Sequence, residues 1–582
     1  MSHYVLLDDQ KTGISRYFSA PSDFITVYDE TDLEGCFRAI ETHLSNGKYL
    51  AGNVAYEFGY WLEPALRHLA PKNSKRPLLQ FGVFDQPPSE APINLLYSKN
   101  QPVLNLKSDW DLKDYTSRFK KIQSYIEAGD VYQINLTFPL RGKTDASPET
   151  LYAAFRRAQP GRYGGITNLS DEAIISFSPE LFFEKTDNKM RMRPMKGTRP
   201  RREDASEDAA LLMNMRNEPK SQAENLMIVD LLRNDLSRLC HAGSVKVPEL
   251  FALETYPTLH QMTSQVEGKL EQGKNWRDIF TGLFPCGSVT GAPKIRAMEI
   301  IHDLESGPRH AYCGSMGYIA PDGTACFNVG IRTVQLKDNL LRYDVGSGVV
   351  LDSDAEDEYR ECLLKADILS PRKTGVFETF RWEEKGAYVR REAHKRRLLK
   401  AAKAQRIACK ESDVDDLLND YRPPRNSDPQ RVRMSLAQDE TLSLKATPLK
   451  KLSTPLSLAV SKYPLSNTYQ TTQHKVENRD FYDGERERLK ASHAIDEVIF
   501  LDKNGYVCEG SFTSIFIKKE DQFFTPKAGL LLPGILRAEM IKSGEAKETN
   551  LTLNDLLEAD EIFVGNSLRG LMKANLMNSH PL

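Results

Sequence analysis

Apolar residues recur along this chain in two rhythms, period two for strands and period three to four for helices. Between Asp114 and Ala128, Tyr115, Phe119, Ile122 and Ile126 mark one face of a helix that stops at Gly129-Asp130. Val131–Phe138 then alternates as a strand. A second helix is predicted from Ser221 to Leu239, with Leu226, Val229, Leu232 and Leu236 as its stripe and Glu224 and Asp230 off it. The turn Pro285–Pro293 feeds a helix from Lys294 to about Leu304. Strands at Gly314–Ile319 and Ala325–Val334 follow, joined by the turn Pro321-Asp322-Gly323. A glycine-rich strand, Tyr343–Leu351, leads to a helix capped by Asp352 or Ser353 and running to about Leu369. Upstream, Tyr49–Gly59 reads as a strand punctuated by glycine.

The pattern resets at Ser370–Thr374, and a fresh strand starts at Gly375. Beyond it come a charged helix, Glu392–Ile407, a strand, Asp496–Leu501, a strand carrying Glu509, and a helix opened by Gly534-Ile535-Leu536-Arg537. Two domains are therefore predicted, 1–370 (residues 1–110 less regular) and 374–582, in an α+β chain of 582 residues, too long for one core. Lys and Arg number 78 against 80 Asp and Glu, which argues against a nucleic-acid partner. No run approaches the ~18 apolar residues of a membrane span. No basic, apolar leader opens the chain, and its eight cysteines form no C-x-x-C pair, so a reducing cytoplasm is expected.

Candidate chemistry lies in both halves. In Met192–Arg201, Lys196 stands against Gly197 between Pro194 and Pro200, among Arg193, Arg199 and Arg201. An amine so placed is a candidate nucleophile. Glu358 and Glu361 share a helix face, with Glu224 as a third carboxylate, and oxygen-only ligands suit Mg2+. Arg332 and the glycines Gly287, Gly346 and Gly348 offer a guanidinium and open N–H groups to a carboxylate. In the second half, Lys475, Arg397, Glu509 and the helix start at Ile535 and Leu536 are the groups that pyridoxal 5'-phosphate requires.

Together the blocks Gly129–Leu136, Ser178-Pro179-Glu180, Pro194–Thr198, Glu224–Asp235, Pro285–Arg296 and Asn328–Thr333 resemble the chorismate-utilising enzyme family. That resemblance implies two large antiparallel sheets flanked by helices, with chorismate between them. It implies Mg2+ held by Glu224 and Glu361 with Glu358 nearby, and substrate carboxylates held by Arg332, Tyr312 and the Gly346–Gly348 backbone. His260 matches the family's active-site histidine. Ortho-aminating members resemble this stretch but carry alanine where Lys196 stands; para-aminating members carry lysine. Lys196 is thus expected to add at C2 of the ring before ammonia adds at C4. Ser221 departs from the acidic residue usual one turn before Glu224, and Leu6-Leu7-Asp8-Asp9 lacks the serine of the tryptophan-sensing motif.

The second half resembles the class IV aminotransferases, also called fold-type IV pyridoxal phosphate enzymes, an α/β fold. The resemblance implies a covalent cofactor link at Lys475, a phosphate partner in Arg397, a pyridinium partner in Glu509, and phosphate-binding groups at Ile535, Leu536, Asn566 and Ser567. Arg569 would bind a substrate carboxylate. Ser514 departs from the usual asparagine. The fusion favours a lyase that makes 4-aminobenzoate. The alternatives are an ortho-aminating synthase joined to a branched-chain or D-amino-acid transaminase, and a chain with one degenerate half. Cys286 lies outside any Gly-x-Cys-x-Gly elbow, so a separate glutamine amidotransferase subunit is expected to supply ammonia. A homodimer through the second half is a further possibility.

Overall fold

The computed structural model describes all residues except 1–2, 99–101, 103, 157–160, 201–204, 256–258, 370–374, 384–386, 406, 422–428, 438–439, 466–473, 478, 528, 530 and 579. Arg201 and the predicted boundary at Ser370–Thr374 lie outside the described residues. The chain divides into two compact units, Met1–Leu96 with Pro102–Ser370, and Tyr97–Gln101 with Pro371–Leu582.

The first unit is built on two antiparallel sheets of nine and ten strands. Its longest ladder pairs Gln133–Lys143 with Leu340–Val349 in continuous register, from Ile134 opposite Val349 to Lys143 opposite Leu340. Over it packs the helix Leu112–Glu127, started by a reciprocal cap between Asp111 and Asp114. Tyr115, Phe119 and Ile122 are buried, and the Tyr115 hydroxyl meets Ser347 Oγ at 2.9 Å, which ties the helix to the glycine-rich strand.

Four expectations are corrected. The predicted strand Ala325–Val334 is two: Ala325–Asn328 belongs to the ten-stranded sheet and Thr333–Lys337 to the nine-stranded one. The chain crosses between sheets at Val329–Arg332, and Arg332 takes a left-handed backbone (φ 54°) to do so. The last helix of this unit spans Ala355–Leu364; its cap is Asp354, whose side chain accepts from the Glu356 and Asp357 N–H groups, not Asp352 or Ser353. The strand from Tyr49 ends at Val54, before a short helix at Phe58–Leu62. On the helix Pro219–Ser237, Leu226 is 49% exposed, and buried Asn225 takes the inward place by accepting from Ser264 Oγ at 2.6 Å.

The second unit has a four-stranded antiparallel sheet and an eight-stranded mixed sheet with three parallel pairings. The helix Arg391–Ala404 packs on the first, burying Leu398, Ala401 and Ala402. No helix among the described residues is long and apolar enough to cross a membrane.

Candidate active sites

In the first unit, strand Met195–Pro200 pairs with Leu259–Lys269 through a bulge: Lys196 faces Met262, Thr198 faces Gln261, and Gly197 is the extra residue. Its φ of 76° is left-handed, which glycine alone adopts without strain. Lys196 Nζ lies 3.6 Å from Glu224 Oε2, on the helix Pro219–Ser237. A Cβ on Gly348 would stand 3.1 Å from that Nζ, so the bare backbone there makes room for the amine. The arginines flanking Lys196 are answered by acids, Arg193 by Glu249 and Glu254, Arg199 by Glu218.

Glu361 receives Lys365 Nζ at 2.7 Å, and the same Nζ donates to the Gly346 carbonyl at 2.7 Å. Loss of water around Glu361 works to raise its carboxyl; Lys365, Lys196 and Arg332 together overcome that and hold it below the usual carboxylate range. Arg332 Nη1 donates to the Lys365 carbonyl at 3.0 Å, as does the Tyr343 hydroxyl at 2.9 Å. One electrostatic cluster therefore joins Lys196, Glu224, Glu361 and Arg332. Glu358 accepts from Ser353 Oγ at 2.8 Å. Among the described residues no three acidic, histidine or cysteine side chains converge in a metal-ready group. Glu224 and Glu361 still match Mg2+ in donor chemistry, and each now faces a lysine ammonium.

The other expected residues divide. Tyr312 is buried, and burial raises its hydroxyl pKa well above the usual value, so it stays protonated. His260 is buried with both ring nitrogens engaged, Nε2 with Asp208 at 2.7 Å and Nδ1 with Thr255 at 3.0 Å. Among the described residues no hydrogen bond joins it to Lys196, Glu224 or Glu361. Gly287 and Gly346 have packing reasons to lack a side chain: a Cβ would meet Leu231 at 2.6 Å and Thr137 at 2.6 Å.

Glu180 is the residue that sequence reasoning passed over, although it lies in a quoted block. Burial pushes its carboxyl up to about 7, against a hydrogen bond from Ser288, the charge of Lys196 and a bond from the Met195 N–H. A buried acid titrating near neutrality within the electrostatic reach of Lys196 is a candidate proton carrier for this site.

In the second unit, Lys475 is stitched to the edge of the strand Val376–Glu383, its carbonyl accepting from the Phe377 N–H at 3.1 Å. Its Nζ is 3.4 Å from Thr379 Oγ1, 3.9 Å from Glu378 Oε2 and 4.7 Å from the Phe377 ring centroid. Burial pulls the ammonium down to about 7; Glu378 opposes this, and Arg397, Arg479 and Arg433 add to it. The amine opens on a cavity of about 440 Å3 that Arg397, Glu509, Ile535, Leu536, Asn566, Ser567 and Arg569 also line. All the expected cofactor residues thus share one cavity.

Glu378, missed in the sequence, organises the floor. It is fully buried and takes two bonds from Arg397 (2.6 and 2.8 Å) and one contact from His394 Nδ1 (2.7 Å). Although burial would raise its carboxyl, Arg397 and Lys475 hold it far below the usual range. His394 Nε2 meets Ser567 Oγ at 2.8 Å. Glu509 accepts from the Tyr482 hydroxyl at 2.5 Å and the Leu532 N–H at 2.9 Å, and burial pushes it up to about 7. A buried acid with few donors suits a protonated ring nitrogen, and the helix Ile535–Lys542 starts at the cavity wall, where its N–H groups suit a phosphate.

A chorismate binding enzyme family model matches residues 2–371. The chain belongs to that family. A class IV amino-transferase model matches residues 375–576, which gives the chain two enzyme-family domains. Aminodeoxychorismate synthase component 1 of Salmonella typhimurium is 39% identical over 259 residues, 44% of this chain and 57% of the relative. The Escherichia coli K12 protein of that name is 38% identical over 271 residues, 46% and 60%. Anthranilate synthase component 1 of Saccharolobus solfataricus is 41% identical over 245 residues, 42% and 58%. The chain therefore spans less than two thirds of these relatives, and overall identity does not separate the two activities. The solved 2,3-dihydroxybenzoate-specific isochorismate synthase of Bacillus anthracis shares the fold, with a TM-score of 0.52 and 21% identity over 63% of this chain and 95% of that one. Anthranilate synthase component I of Streptococcus pneumoniae does so at 0.51 and 22%, over 63% and 89%.

Proposed function

We propose that this chain makes 4-aminobenzoate from chorismate in two steps, one at each site, for the folate branch. The observation that supports this most is the Lys196 amine, seated beside Gly348 and Glu224 and within the electrostatic reach of Glu180, whose carboxyl burial pushes up to about 7. In the first step Lys196 Nζ bonds to ring C2 as the C4 hydroxyl leaves with a proton from the surrounding acids. Ammonia then bonds at C4, and the C2–Nζ bond breaks, giving aminodeoxychorismate and water. Glu180 would be the group that takes up the proton Lys196 sheds and returns it. Arg332 and Tyr312 would hold substrate carboxylates. Mg2+, held by Glu224 and Glu361 with Glu358 nearby, would supply positive charge at the leaving oxygen.

In the second step the chain's part is proton transfer. Pyridoxal phosphate, linked at Lys475 and held by Arg397, Glu509, Asn566, Ser567 and the N–H groups of Ile535 and Leu536, would supply an electron sink. Lys475 Nζ, a neutral amine above about pH 7, takes the C4 proton and returns one to the enolpyruvyl methylene. Pyruvate leaves and the ring becomes aromatic. Arg569 would orient a substrate carboxylate.

The test is a pair of variants. Lys196→Ala should abolish formation of aminodeoxychorismate while added aminodeoxychorismate is still converted. Lys475→Ala should do the reverse and lose the absorbance of linked cofactor. Loss of both activities in either folded variant would refute the two-site reading.

A further inference from the structure

The cavity around Lys475 carries more positive charge than the cofactor-holding groups account for. Arg431 and Arg433 are alternate residues of the strand Gln430–Leu436, whose Val432, Met434 and Leu436 are buried in the core. Both arginines therefore leave the sheet on its other face and line the cavity. Arg569 lines it from the eight-stranded side, just before the strand Gly570–Leu576. Among the described residues neither Arg431 nor Arg569 has a carboxylate partner, and Arg569 Nε is buried with no hydrogen-bond acceptor. Arg433 has one acid, Glu477, at 3.4 Å.

Arg433 is also close to the chemistry. Its Cζ lies 3.8 Å from the centroid of the Phe377 ring, and Lys475 Nζ lies 4.7 Å from the same centroid. Guanidinium and amine are thus no further apart than those two distances end to end, within the reach of one ring-sized ligand. Burial lowers the pKa of both Arg433 and Arg569, and the charge of Arg431 lowers both further. Like charges crowded this way are relieved by an anion.

We propose that Arg431, Arg433 and Arg569 form a receptor for a substrate with two carboxylates, and that this receptor selects such amines over ordinary amino acids. The inference rests on the lyase reading of the second site and names what sets its specificity. A guanidinium fork grips one carboxylate in two parallel bonds, so a monocarboxylate leaves part of the cluster unanswered. A dicarboxylate neutralises more of it and gains at both ends.

Calorimetric titration of the full chain, loaded with pyridoxal phosphate, against isophthalate (two ring carboxylates) and benzoate (one) reads the selectivity. Isophthalate should bind at least about tenfold more tightly, and added salt should shrink that gap. Arg431→Gln and Arg569→Gln should each cut the ratio several-fold while the cofactor's absorbance is retained; Arg431→Lys should fall between. Equal affinity for the two probes in the unmodified chain, or an unchanged ratio in both glutamine variants, would overturn the assignment. Selectivity for isophthalate without pyruvate release from aminodeoxychorismate would leave the receptor standing and sink the lyase reading instead.

Discussion

The room left by Gly348 decides where the Lys196 amine sits. A methyl at 348 would crowd Nζ at 3.1 Å and Gln133 Nε2 at 2.9 Å. Gly348→Ala should therefore lower the rate of aminodeoxychorismate formation by on the order of 100-fold and leave the second step untouched; an unchanged first-step rate would show that the amine's place is not set there. At the other site the sign of a pH effect follows from burial. An ordinary lysine is mostly charged below about pH 10, whereas Lys475 is pulled down to about 7. Only the neutral amine attacks an aldehyde, so absorbance of linked cofactor should rise with pH through a midpoint near 7. A midpoint near 10 would mean the lysine is solvated. Lys196, Lys475 and Glu509 could be singled out as candidates in the sequence because their neighbours on the chain form recognisable blocks. Glu180 and Glu378 were not, because what distinguishes each is burial and a partner distant in sequence: Lys196 for the first, Arg397 and His394 for the second.

At the scale of elements, the bulge at Gly197 holds Lys196 in register opposite Met262. A side chain at a φ of 76° costs about 1 kcal/mol, so Gly197→Ala should lower the urea midpoint of the first unit and weaken its activity more than its stability. No loss of either would argue against the bulge. The helix Lys294–Leu304 was read with its observed limits, since a proline starts it and apolar residues keep its period. Elements with local signals were readable in this way. The stripe of Pro219–Ser237 was misread at Leu226 because a satisfied Asn225 faces inward, a choice fixed by Ser264 on another strand. Ala325–Val334 looked like one strand because period two continues through residues that change sheets. The crossing depends on Arg332's left-handed backbone, which composition does not announce. The cap at Asp354, rather than the two residues before it, is a difference of one or two positions among neighbours of equal propensity.

For the whole molecule, the two family models cover residues 2–371 and 375–576, and Cys286, the cysteine weighed above as an amidotransferase nucleophile, is buried, with burial pushing its thiol up to about 12. Ammonium salts should therefore support turnover by the purified chain and glutamine should not; activity with glutamine alone would remove the need for a partner subunit. The central claim is para amination followed by loss of pyruvate. It is tested most directly by identifying the aromatic product when the purified chain is given chorismate, ammonium, Mg2+ and pyridoxal phosphate. The account predicts 4-aminobenzoate, with one pyruvate for each ring, and 2-aminobenzoate as the product would contradict it.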